Sequence, residues 1–347
     1  MVDYNVHLVG SVPLADSTTV FRTIGAALGP ALLRVPDGEV GERLTWLPWL
    51  DPVFSENDAF EATETIFQHH AAASKMRHYR LRDGIDADNV IINGLRYAEV
   101  AESSYNAFLK CRSEGLIPAT CRFQVSIPHP VAPIRHFVSE KDQNRVEPIL
   151  ERAFAAEVAK IANVVPPSDL AIQWDIASAV FEALERGEPT RFGETKGEMY
   201  QSFAERIVRM ADTVPAEADL LLHLCYGDSG HKHAVEPTDM SDMVEMANRV
   251  STLVSRPVDV IHMPVPRDRN DVAYFQPLNR LALSAGTRLS IGLVHHTDGV
   301  AGTRRRLDVA REYASDFLIA TECGFGRRSV ETIAELLDIH AEVAGIR

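Results

Sequence analysis

Cysteine is scarce in this chain: four among 347 residues. Cys111, Cys121, Cys225 and Cys323 are too few and too scattered for a disulfide framework, so each reads as a free thiol, a ligand or a small core filler. Positive charge is also in deficit. A formal net charge of −14 argues against wrapping a nucleic acid or docking on an anionic membrane, and neither partner is expected. Long apolar runs are missing, since nothing approaches the about 20 residues that a spanning helix needs. The opening MVDYNVHLVGSV has no basic segment leading into a signal-like apolar core, which makes a cytoplasmic location the expectation. No feature of the composition sets an oligomeric state.

With 46% hydrophobic residues, the chain can bury a large core. Apolar runs that end in polar or glycine residues predict strands at 6–12, 31–38, 120–126, 170–177, 220–227, 258–265, 288–296 and 317–324. Helical periodicity fills the later intervals: TDMSDMVEMANRVSTLVS, with Thr238 or Asp239 as N-cap, then GTRRRLDVAREYAS and SVETIAELLDIHAEVAG. Strand followed by helix, repeated with nearly continuous apolar strands, favours an α/β protein with a parallel sheet. Eight such strands favour closure into a single (β/α)8 TIM barrel spanning residues 1–347. A doubly wound open sheet is the alternative. Residues 39–119 are too long for one crossover. Within them FEATETIFQHHAAASKM and LRYAEVAESSYNAFLKCRSEG are helical by period, so the span reads as a helical elaboration after the second strand.

In a parallel barrel the chemistry gathers where strands end. The expected strand ends carry Ser11, Asp37, Glu39, Asp175, His223, Cys225, His262, His295, His296, Glu322 and Cys323. His223 and Cys225 are two residues apart, so on a strand they point to the same side. Imidazole and thiolate suit zinc, and Cys323 at the end of the last strand is the candidate third ligand. From spacing alone, core packing is the commoner explanation of a lone His and a lone Cys on a strand.

A resemblance weights the choice. HLCYGD and TECGFGRR resemble the zinc-ligand segments of the cobalamin-independent methionine synthase family, whose catalytic half is a barrel. The matched residues are His223, Cys225 and Cys323. LVGSVP resembles the family's opening glycine-serine strand end, DGEVGER its histidine-glycine-glutamate segment, and IQWD the strand that presents an aspartate to the amino-acid substrate. Two departures stand out. Asp175 is followed by Ile176 and Ala177 rather than by glutamate and proline, and Pro264 stands where the family's remaining zinc-site glutamate should fall. His262 is the nearest replacement ligand.

The resemblance implies a zinc-dependent methyl- or alkyltransferase that activates a small-molecule thiol as a zinc-bound thiolate and takes the group from a methyl or alkyl donor. It also implies that Glu39 and Asp175 hold the acceptor's amino group and that Ser11 hydrogen-bonds its carboxylate. The chain has no room for the family's additional N-terminal barrel, so neither acceptor nor donor is fixed. His295 or His296 is the candidate proton donor or acceptor for the leaving group, with Asp175 a further catalytic candidate. His231 and His233, in GHKH, read as loop residues near the site. Arg327, directly after CysGlyPheGly, is a candidate for forked hydrogen bonds to an anionic substrate group, whereas Arg304, Arg305 and Arg306 read as a solvent-facing helix. Two other functions fit the same outline: a zinc-free enzyme like the uroporphyrinogen decarboxylases, and a noncatalytic barrel that binds a small molecule.

Overall fold

A computed structural model describes residues 3–68, 75–228 and 232–346. Nine strands are numbered in chain order: β1 (Arg34–Pro36), β2 (Phe60–Phe67), β3 (Met76–Leu81), β4 (Arg122–Pro128), β5 (Leu170–Ile176), β6 (Asp219–Leu224), β7 (Val260–Pro264), β8 (Arg288–Val294) and β9 (Phe317–Thr321). Seven of them form one curled parallel sheet in the order β1-β4-β5-β6-β7-β8-β9. Helices fill most of the intervals between the sheet strands, so successive strands are parallel neighbours joined by crossovers.

Alternation along the strands sorts the core into two sides. Leu220, Leu222 and Leu224 of β6 belong to the large cluster shared with the helices. Leu221 belongs instead to a small cluster with Ala171, Val260 and Leu318, on the inner side of the curl. His223 and Cys225 continue that inner row.

The eighth strand expected at 6–12 is not formed. Val6 makes single parallel bridges to Leu32 and to Ile319, which places it between the two ends of the sheet with one rung on each side. The physical reason lies in the next carbonyls. Leu8 and Val9 give theirs to buried side-chain amides: Gln124 Nε2 donates to Leu8 O at 3.0 Å and to Val9 O at 3.2 Å, and Gln173 Nε2 donates to Val9 O at 2.5 Å. A closed barrel of eight regular strands is therefore corrected to a seven-stranded curled sheet with a bridging N-terminal segment.

The elaboration at 39–119 is only partly helical. LRYAEVAESSYNAFLKCRSEG contains the expected helix, Tyr97–Ser113, but FEATETIF forms β2, paired antiparallel with β3. β-Branched Thr63, Thr65 and Ile66 suit a strand, and β2 buries Phe60 while its other residues stay partly or fully exposed. Phe60, Tyr79 and Phe137 then pack on Phe54, with ring centroids 5.2–5.7 Å from its own. The helix expected in TDMSDMVEMANRVSTLVS spans Ser241–Leu253 with Met240, not Thr238 or Asp239, at its N-cap. Asp239 nevertheless accepts from Ser241 N at 2.7 Å.

Candidate metal-binding and active site

β6 delivers His223 on its inner face. Cys225 follows just past the strand, where its N–H still reaches Ile176 O of β5 at 3.0 Å and so keeps the alternation. Cys323 arrives from the turn after β9, held by Thr321 Oγ1 donating to Cys323 O at 2.6 Å. One ligand atom each of His223, Cys225 and Cys323 lie within 4.8 Å of one another. All the described cysteines are free, and Gly227 N donates to Cys225 Sγ at 3.3 Å. The Cys225 thiol and burial together push the Cys323 thiol well above its usual range, so Cys323 resists ionisation unless a cation is supplied.

The donor set fits a zinc ion. Two sulfurs and an imidazole are the soft and borderline ligands zinc takes, at about 2.3 and 2.0 Å. His223 supplies the sharper observation: its Nε2 is buried and has no hydrogen-bond partner among the described residues. A buried ring nitrogen without a partner is costly, and coordination would satisfy it.

The triad forms part of the wall of a cavity of about 60 Å³, also lined by Ser11, Glu39, Trp46, Asp175, Asp228 and Arg327. Asp175, at the end of β5, is opposite His223 in the strand register. It accepts from Gln173 Nε2 at 2.8 Å, and burial pushes its carboxyl up to about 7. Burial, reinforced by the charge of Asp175, pushes Glu39 up to about 8. Glu39 adopts a left-handed backbone with φ of 48°. Its N–H is fixed by Asp37 Oδ1 at 3.0 Å, while Asp37 Oδ2 accepts from buried Arg43 at 2.6 Å. Ser11 Oγ accepts from Gly326 N at 3.2 Å, and Phe325 N donates to Ser11 O at 2.6 Å, which ties the N-terminal segment to the Cys323 turn.

The structure thus brings Ser11, Glu39, Asp175, His223, Cys225, Cys323 and Arg327 to one cavity. The remaining candidates lie elsewhere. His262 does not join the sulfurs; its Nδ1 meets His223 Nδ1 at 2.8 Å and its Nε2 meets Thr321 O at 3.0 Å. His295 and His296 line an adjoining cleft that shares Asp228 with the cavity. His295 Nε2 donates to Val265 O at 2.8 Å, and His296 pairs with Glu335 at 2.8 Å. His233 bridges Glu236 and Glu322 at 3.0 and 3.2 Å, and Glu322 is prominent among the groups that raise its pKa to about 9 against desolvation by burial. His231 lies outside the described residues. Arg306 corrects the reading of a solvent-facing helix: it is buried and bonds Leu293 O, Arg267 O and Asp298. Trp46 and Gln173 were missed from the sequence. Neither carries a reactive group, and only the fold reveals that both contact Asp175.

No family model matches the chain, and no curated protein matches it in sequence. Solved structures do match in shape. A B12-independent methionine synthase from Shewanella sp. W3-18-1, in complex with selenomethionine, is 13% identical, with 83% of this chain and 76% of that chain covered at a TM-score of 0.55. A putative vitamin-B12 independent methionine synthase from Listeria monocytogenes is 14% identical, with 99% and 97% covered at 0.59. A methyltransferase from Methanosarcina mazei is 12% identical, with 100% and 95% covered at 0.54. The chain therefore shares the fold of B12-independent methionine synthase-like proteins and of a methyltransferase.

Proposed function

We propose that this protein is a zinc-dependent methyl- or alkyltransferase acting on a small-molecule thiol. The observation that carries the reading is the convergence of His223, Cys225 and Cys323 within 4.8 Å, beside two buried carboxylates in one cavity. These three residues would hold the ion, and no carboxylate joins them among the described residues. Zinc held there would supply the charge that keeps an incoming thiol deprotonated near neutral pH.

The chain's own residues do the rest. Glu39 and Asp175 place negative charge where the acceptor's ammonium group enters, and that cation offsets the burial that otherwise favours their protonated forms. Arg327, at the same wall, presents a guanidinium to an anionic group, and Ser11 offers a hydroxyl. The acceptor sulfur gives up its proton and donates an electron pair to the donor's alkyl carbon. An S–C bond forms as the bond from carbon to the leaving group breaks, and the leaving group takes a proton. A donor reaching past Asp228 would bring its leaving group to the cleft of His295 and His296. The methionine synthase neighbours support transfer to a thiol amino acid, and the neighbour described only as a methyltransferase supports the wider class.

The test is turnover. The zinc-loaded protein is offered homocysteine, 2-mercaptoethanesulfonate and other small thiols with simple methyl donors, and thioether is measured by mass spectrometry. Thioether formation that stops on chelation and returns with zinc supports the reading. Equal thioether formation with the Cys225→Ser, Cys323→Ser double variant overturns it.

A further inference from the structure

The partners of His262 fix the protonation of a ring it touches. Thr321 O is a carbonyl and can only accept, so His262 Nε2, 3.0 Å away, must carry the hydrogen. The two partners of His262 are this carbonyl and another imidazole, neither of them an anion. A doubly protonated ring in this sealed interior would have no bonded counter-charge. His262 is therefore the Nε2–H tautomer and its Nδ1 is a bare acceptor. The 2.8 Å contact to His223 Nδ1 then requires His223 to donate from Nδ1. What remains on His223 is an unprotonated Nε2, the buried atom without a partner.

We infer that His262 is the positioning residue of the metal site: relaying the Thr321 carbonyl, it locks His223 as the Nδ1–H tautomer and aims a free Nε2 lone pair toward Cys225 and Cys323. The relay closes on the other half of the site. Thr321 ends β9 two residues before Cys323, and its Oγ1 bonds Cys323 O at 2.6 Å. One residue thus sets the direction of the imidazole, through its carbonyl, and of the distal cysteine, through its hydroxyl. Register makes this possible, because His223 and His262 are direct partners across β6 and β7. His262 occupies no ligand position and acts through His223. Orientation by such an outer partner is worth about 10–100-fold in metal affinity.

The inference rests on the triad holding zinc, but its first test does not. Metal-free protein with 15N-labelled histidine, with His223→Gln used for assignment, reports the tautomer of His223 by imidazole 15N NMR. Protonation at Nδ1 is expected; protonation at Nε2 overturns the inference whether or not zinc binds. The second test is the zinc dissociation constant, measured by competition with a chromophoric chelator. His262→Leu removes the acceptor and should weaken zinc by about 10–100-fold. His262→Gln keeps an amide N–H for Thr321 O and an amide oxygen for His223, and should stay within about threefold of wild type. Equal affinity for wild type and His262→Leu overturns the relay. Absence of zinc binding by the wild type would overturn the function proposed above, and the NMR result would then decide the relay alone.

Discussion

The carboxylate of Glu39 lies against Gly10 so closely that a Cβ on residue 10 would sit 2.1 Å from Oε1. Glycine here is a requirement of the neighbour, since only a bare Cα lets the buried carboxylate reach the cavity. Gly10→Ala should leave the fold intact and displace Glu39. Misplacing a substrate-binding group by about 1 Å costs up to about 100-fold, so KM for a cationic thiol acceptor should rise by at least about tenfold, with a smaller effect on thiols that lack an amino group. Steady-state kinetics on the two acceptor types checks this. An equal effect on both would remove Glu39 from amine recognition.

Glu39 and Asp175 make stability depend on pH with a definite sign. Their carboxyls stand at about 8 and about 7, against ordinary values of 4.5 and 3.8. Between those limits the folded protein binds more protons than the unfolded chain, so stability falls as pH rises through roughly 4 to 8. Glu39→Gln removes one of the two charges. At pH 8.5 the variant should be more stable than wild type by at least about 1 kcal/mol, somewhat less than a tenfold difference in proton affinity between the folded and unfolded chains would contribute. Near pH 4 the difference should vanish. Urea unfolding at the two pH values measures it. A gain that is the same at both would show that burial of a charged Glu39 costs nothing.

Gly324 follows Cys323, and a Cβ there would meet Ser11 Oγ at 2.4 Å and Ser11 N at 2.9 Å. The backbone contact cannot be relieved by rotating a side chain, so Gly324→Ala should move the Cys323 turn. In that turn Ser11→Ala loses the acceptor for Gly326 N without adding a clash. Zinc affinity should therefore fall by about tenfold or more in Gly324→Ala, in the range of lost support for a ligand, and by much less in Ser11→Ala. Chelator competition on both variants would reveal the reverse order if the turn were not what places the sulfur.

Much of this site is legible in the sequence because a strand has period two. His223 and Cys225 share a face by spacing alone, and the expected strand at 220–227 contains most of β6. The other strand expectations from 31–38 onward coincide with sheet strands for a different reason: buried parallel strands are nearly continuous apolar runs. Cys323 joins the group only through the fold; its place at the end of the last expected strand made it a candidate, and the resemblance added weight. Other features depend on partners remote in sequence. β2 reads as a helix until β3 pairs with it, and residues 8–12 read as a strand until Gln124 and Gln173 take the carbonyls. His262 reads as a spare ligand because one-dimensional spacing carries no information on which neighbour a ring nitrogen meets. Trp46 gives no signal before its contact with Asp175 is seen.

The central claim is that His223, Cys225 and Cys323 bind one ion together, and zinc K-edge X-ray absorption on the zinc-loaded protein tests it most directly. Two sulfur scatterers at about 2.3 Å and nitrogen or oxygen at about 2.0 Å are predicted, with one sulfur lost in Cys225→Ser and one in Cys323→Ser. A first shell of nitrogen and oxygen alone, unchanged in either variant, would contradict the account.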